Sequence, residues 1–143
     1  MSSGEKPAVH SYQIVVDSEV IDRNGHVNNV SYVRWMQDAA VNHSRAVLPD
    51  GTYRGTNGTW VARSHHIEYL KPVFEKETIE VRTWLAKLRR VRCQRKYEFV
   101  RISDDALVAR GETDWVFVDI ENGRPKSIPQ EILDAFEPVE NDS

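Results

Sequence analysis

Residues 29–48 limit the fold more than any other stretch of this chain. Val30, Val33, Met36, Ala40 and Val47 recur there at the three- to four-residue spacing of a helix. Tyr32, Trp35, Ala39, Asn42 and Ala46 form an adjoining stripe, so more than one side of this helix needs partners. A helix enclosed in this way fits a sheet that curls around it. Asn28 or Asn29 can cap its start, and Pro49, Asp50 and Gly51 stop it, because proline cannot continue a helix.

The remaining segments read as strands. Tyr12, Ile14 and Val16 alternate with Ser11, Gln13 and Val15, which predicts a first strand over 11–17. After the glycine-rich connection 51–58, strand-like segments run over 59–70, 78–87, 92–103 and 106–119. The last is the clearest, with Leu107, Ala109, Gly111, Thr113, Trp115 and Phe117 on one phase. Residues 121–125, ENGRP, form its exit turn, and residues 129–136 predict a short helix with proline in its tolerated first position.

The resulting order is one strand, one long helix, four consecutive strands and a short helix, an α+β pattern with a mostly antiparallel sheet. A chain of 143 residues suits a single domain spanning 1–143, with loose ends at 1–10 and 137–143. One helix and a sheet with two open edges favour pairing with a second copy, as a homodimer or homotetramer.

Composition excludes several classes. The net charge of −3 argues against general nucleic-acid binding, which needs a basic surface. The start of the chain carries no apolar leader and no run approaches a membrane span, so a cytoplasmic location and no membrane partner are expected. The single cysteine, Cys93, cannot form an intramolecular disulfide or a CxxC metal site.

The densest polar cluster is DRNGHVNNVSY, from Asp22 to Tyr32, where a loop enters the long helix. The first N–H groups of a helix lack internal partners and carry the positive end of its dipole, so they can polarise a carbonyl. Asp22 lies just upstream and can activate water or attack directly. The same residue types also build an ordinary capped turn, and composition alone leaves both readings open.

The pattern of Asp22, Gly25, His26, Val27, Asn28, Asn29 and Tyr32, followed by a tryptophan-bearing helix, resembles the signature of 4-hydroxybenzoyl-CoA thioesterase-like hotdog proteins and of plant acyl-ACP thioesterases. IEYLKP at 67–72, WVFVD at 115–119 and GRP at 123–125 extend the similarity over about residues 11–129. The resemblance implies a hotdog fold and hydrolysis of a thioester on coenzyme A or an acyl carrier protein, with active sites between subunits. It implies no separate cofactor, since coenzyme A or phosphopantetheine is part of the substrate.

Residue by residue, Asp22 falls at the position of the catalytic aspartate, and the backbone N–H of Asn29 at that of the carbonyl-polarising donor. The plant enzymes imply roles for Asn24 and His26, and the two subfamilies differ at the histidine. Tyr32, Thr59 and Trp60 are the expected substrate-binding residues, Thr59 and Trp60 from the partner subunit.

Lys87, Arg89, Arg90, Arg92, Arg95 and Lys96 gather positive charge around a hairpin. A phosphate-rich ligand and a solvated turn both account for them. The resemblance favours coenzyme A phosphates at Arg90, with Arg89 beside it. His65 and His66 are neighbours in a strand, point to opposite faces and do not suit a shared metal. Cys93 is expected to be a buried, inert thiol, and His43 a packed or solvent-facing residue. A hotdog hydratase is a rival reading, but its aspartate–histidine spacing is one residue longer and has proline where Gly25 stands. A non-catalytic acyl-CoA-binding protein is the other.

Overall fold

The long helix, α1 (Asn29–Val47), lies across one face of a five-stranded antiparallel sheet in a computed structural model that describes residues 8–136 and 138–139. The strands are β1 (His10–Val15), β2 (Gly58–Tyr69), β3 (Thr78–Leu88), β4 (Arg92–Arg101) and β5 (Ala106–Asp119), and α2 (Gln130–Ala135) follows. Their spatial order is β1-β3-β4-β5-β2. β3, β4 and β5 meander, while β1 and β2, separated in sequence by α1, occupy the two edges. This is the hotdog architecture expected from the sequence.

The predicted elements are present, with ends that differ by one or two residues. Residues 18–20 add a single 3-10 turn, which the apolar alternation did not signal because its cue is a polar cap. The Asp17 carboxylate accepts the Glu19 N–H at 2.9 Å. Of the expected loose ends, residues 1–7, 137 and 140–143 lie outside the described residues. Val139 does not fray: its N–H donates to Leu85 O at 2.7 Å. No helix among the described residues is long and apolar enough to cross a membrane.

The buried face of α1 carries Tyr32, Trp35, Met36, Ala39, Ala40, His43 and Val47. Val30, placed by its spacing at the head of one apolar stripe, is instead exposed, as are Asn42 and Ala46. The helix presents one broad face to the sheet and the opposite face to solvent. Beneath that face the core divides. Val16, Tyr32, Trp35, Met36, Ile79, Tyr97 and Phe99 pack in one apolar cluster, and Val47, Leu48, Leu85, Cys93, Phe117, Ile132 and Phe136 in another. Buried polar side chains, His43, Thr83, Arg95 and Thr113, stand among them.

Two glycines meet side chains where a Cβ has no room. A Cβ on Gly58 would lie 2.4 Å from the Phe117 ring, and one on Gly111 2.8 Å from Met36 Sδ. Gly111 therefore lets α1 approach β5, and Gly58 leaves room for the Phe117 ring at the start of β2.

Candidate active site

The loop into α1 is a small hairpin. Ile21 and Val27 form an antiparallel bridge, Asp22 N–H donates to His26 O at 2.9 Å, and Gly25 N–H donates to Asp22 O at 3.0 Å. Gly25 has φ 85°, a left-handed conformation that glycine adopts without strain. Asp22 Oδ1 accepts the Asn24 N–H at 2.8 Å, and no hydrogen bond to Oδ2 occurs among the described residues. One carboxylate oxygen thus shapes the turn and the other remains available.

α1 starts directly behind this hairpin. Asn28 Oδ1 caps it by accepting from both the N–H and the hydroxyl of Ser31, each at 3.0 Å. The Asn29 N–H has no backbone acceptor among the described residues and sits at the positive end of a 19-residue helix. His26 is half-buried, edge-on to Phe74 at 6.4 Å, while the Asn24 side chain is exposed. The hairpin therefore gathers Asp22, Asn24, His26 and Asn29 in one place.

A second layer holds the hairpin. Val27 N–H donates to Val73 O and Asn28 N–H to Val20 O, both at 2.9 Å. The segment bearing Val73 is fastened in turn by Arg101, which donates to Pro72 O at 3.1 Å and pairs with Glu77 at 3.4 Å and Asp104 at 3.0 Å. The hydrogen bonds to Arg101 hold the Asp104 carboxyl below its ordinary pKa.

Tyr32 sits apart from this polar group. It is buried, with Trp35, Tyr69 and Phe99 edge-on at 5.2 Å, and burial pushes its hydroxyl pKa up to about 12. Its ring packs in the core.

Thr59 and Trp60 lie at the far end of the molecule, where they line a cavity of about 640 Å³ between the C-terminal half of α1, the start of β2 and the sheet. This volume falls within the range of small-molecule pockets, about 300–1,000 Å³. Leu85, Cys93, Trp115 and Phe136 supply other walls. From residue 29 to residue 41 the helix advances ~18 Å at its rise of about 1.5 Å per residue, so one chain's hairpin stands well away from its own cavity. The β3–β4 turn with Arg89 and Arg90 closes the cavity end of the sheet. Both arginines are exposed; Arg90 Nε donates to Ser127 Oγ at 3.1 Å, and Arg89 Nη1 to Leu88 O at 3.4 Å.

Arg95 corrects the expectation that placed it in the basic surface cluster. It points inward, only 4% exposed, and lines the cavity. The signal was present in the sequence: Arg95 shares a phase with Cys93, Tyr97 and Phe99, the buried side of β4. Its Nη1 donates to His43 Nδ1 at 2.9 Å and to Thr83 Oγ1 at 3.0 Å. Because arginine only donates, His43 Nδ1 must be the acceptor and Nε2 carries the proton. Burial, then the Arg95 and His10 charges, pushes the His43 pKa down to about 3. The Cys93 thiol, buried as expected, is pushed up to about 12 by desolvation. No three His, Cys, Asp or Glu side chains converge as a metal site among the described residues.

A family model described as the thioesterase-like superfamily matches residues 16–136. No curated relative matches the sequence. Among solved structures, a protein of Aquifex aeolicus described as hypothetical is 27% identical, with TM-score 0.81 over 90% of this chain and 99% of its own. A 1,4-dihydroxy-2-naphthoyl-CoA thioesterase from Synechocystis shares the fold at 16% identity and TM-score 0.81, over 89% of this chain and 94% of that one. So does a 12:0-ACP thioesterase from Umbellularia californica, at 20% identity and TM-score 0.81, over 94% of this chain and 54% of that one.

Proposed function

The chain belongs to the thioesterase-like superfamily, and on that premise we propose that it hydrolyses an acyl thioester of coenzyme A or of an acyl carrier protein to the free acid and thiol. The observation that carries this reading is the hairpin, which sets Asp22 with Oδ2 open beside a helix whose Asn29 N–H lacks a backbone acceptor. The helix N-terminus draws electron density from the thioester carbonyl. Asp22 takes a proton from water as its oxygen attacks, the tetrahedral intermediate expels the thiolate, and the proton passes to that sulfur. Direct attack by Asp22 gives an anhydride that water then opens, with the same products. Asn24 and His26 orient the aspartate or the water. The balance is thioester plus water and calls for no resident cofactor.

The site is completed by a second copy. β2 is a 12-residue edge strand with exposed Val61 and Tyr69, paired among the described residues with β5 alone. Antiparallel pairing of β2 with its own copy sets Gly58, Thr59 and Trp60 of one protomer beside the end of the partner strand. The Asp22 hairpin leans on the segment just beyond that end, through Val73. The cavity of one protomer then faces the hairpin of the other, and the exposed Arg89 and Arg90 flank the approach for coenzyme A phosphates.

Asp22→Asn preserves shape and removes the charge. Its kcat on a responsive acyl-CoA should fall by about 10²–10⁴, the range for losing a positioned base, with substrate binding retained. His26→Ala should cost less. Label from ¹⁸O-water appears in the Asp22 carboxylate after single turnover only if the aspartate is the nucleophile. Hydrolysis by Asp22→Asn at the wild-type rate would refute both routes.

A further inference from the structure

The wall of the cavity holds a buried cation. Among the described residues, Arg95 pairs with no carboxylate and the cavity lining contains neither Asp nor Glu. Its neighbours are a neutral histidine, a threonine hydroxyl and the Phe136 ring, whose centroid lies 5.9 Å from the guanidinium carbon. Such partners offset part of the cost of dehydrating a charge, which for an unpaired ion still amounts to several kcal/mol. The cavity also carries a second cation, Arg45.

The donors left over have a defined geometry. Both described hydrogen bonds of Arg95 leave from Nη1, which uses both hydrogens on that nitrogen. Nε–H and the two Nη2 hydrogens have no described protein partner. Nε and Nη2 form one edge of the guanidinium fork, with the two parallel N–H directions that match the two oxygens of a carboxylate. His43 and Thr83 fix the plane of the fork by holding its other corner. Leu85, Trp60 and Phe136 keep the rest of the cavity apolar.

We propose that the cavity selects an acyl group with an apolar body and a terminal carboxylate, the half-thioester of a dicarboxylic acid, and that Arg95 is the specificity-determining residue that receives the carboxylate through Nε and Nη2. The proposal rests on the thioester-hydrolase reading above. A methyl-terminated acyl chain leaves the guanidinium buried and unpaired, so the site discriminates against it. A neutral chain gains only its apolar contacts, while the carboxylate adds a charge-assisted bidentate pair. Arg95 acts on binding, remote from the reacting carbonyl.

The test compares adipoyl-, suberoyl- and sebacoyl-CoA with hexanoyl-, octanoyl- and decanoyl-CoA, using the full-length protein, Arg95→Met and Arg95→Lys. Wild type should favour the carboxylate-terminated member of each pair by about tenfold or more in kcat/KM, the scale of a hydrogen bond to a charged group. Arg95→Met should remove or invert that ratio mainly through KM, and Arg95→Lys should keep part of it. In parallel, free suberate should raise the melting temperature of wild type and leave Arg95→Met unchanged. Preference for the methyl-terminated substrates, with a ratio unaltered in Arg95→Met, overturns the inference and leaves hydrolysis standing. Suberate stabilisation that depends on Arg95, with no thioester cleaved, supports the carboxylate site and refutes hydrolysis. If Arg95→Met does not fold, the wild-type preference and the Arg95→Lys ratio decide.

Discussion

His43 should make this protein acid-labile over a defined pH window. Its folded pKa is about 3 against an ordinary 6.5, because burial and the neighbouring Arg95 and His10 disfavour the imidazolium. The unfolded chain therefore binds a proton between these values that the fold does not, and unfolding gains from each step of acidification. The stabilising contribution is fully present above pH 6.5 and falls as pH drops toward 3. The limiting slope is about 1.4 kcal/mol per pH unit, so about pH 4.5 the loss reaches ~2.7 kcal/mol. That figure is a ceiling, since local opening can admit water to the ring before the whole domain unfolds. His43→Asn retains an acceptor near the Nδ1 position and removes the titration. Urea unfolding of both proteins from about pH 7 to pH 4.5 isolates the effect as a difference in slope, which cancels carboxylates common to both, such as Glu68 and Asp104. Parallel pH profiles for wild type and His43→Asn would refute a neutral, buried His43.

Gly58→Ala drives a Cβ into the Phe117 ring and should destabilise by about 1–3 kcal/mol, measured by denaturant unfolding, the usual range for overpacking a filled site. Arg89→Ala and Arg90→Ala should raise KM for acyl-CoA with little change in kcat, because each removes binding remote from the chemistry; an unchanged KM and salt dependence in both would mark the hairpin as a solvated turn. Val61→Lys sets a charge on the open β2 edge and should shift sedimentation toward monomer together with a loss of hydrolysis; a fully active monomer would refute a shared site.

The fold was legible where one physical signal dominated. Period-2 alternation over residues 106–119 predicted β5 with its observed bounds, and the run from Asn29 predicted α1 to within one residue at its end. Val30 went astray because spacing reports a stripe and not which way it faces: at about 100° per residue Val30 falls on the side of α1 turned away from Tyr32, Met36 and Ala39, and so meets solvent. Asp22, Asn24, His26 and Asn29 could be grouped because they are close in sequence and the hairpin is local. The cavity could not be read this way. It takes Ala40 from α1, Trp60 from β2, Arg95 from β4 and Phe136 from beyond α2, and only the strand order brings these together.

Arg95 shows how a local rule and a tertiary one compete. A charge beside Arg92 and Lys96 reads as surface, yet strand phase assigns it to the same side as Tyr97 and Phe99, and phase prevails because a strand cannot turn one side chain outward without shifting every other. The fold accepts the cost at a position where it also has a use. Thr83 on β3 and His43 on the helix are buried polar side chains that meet the same guanidinium, and Thr113, a buried hydroxyl, lies opposite Arg95 on β5. Four polar side chains on four elements would be a poor way to stabilise a core, since apolar residues of similar volume commonly replace a buried ionic group at no loss. His43 and Thr83 hold Nη1 fixed and leave the carboxylate-matching edge open, so the polar group fits ligand selection better than it fits packing.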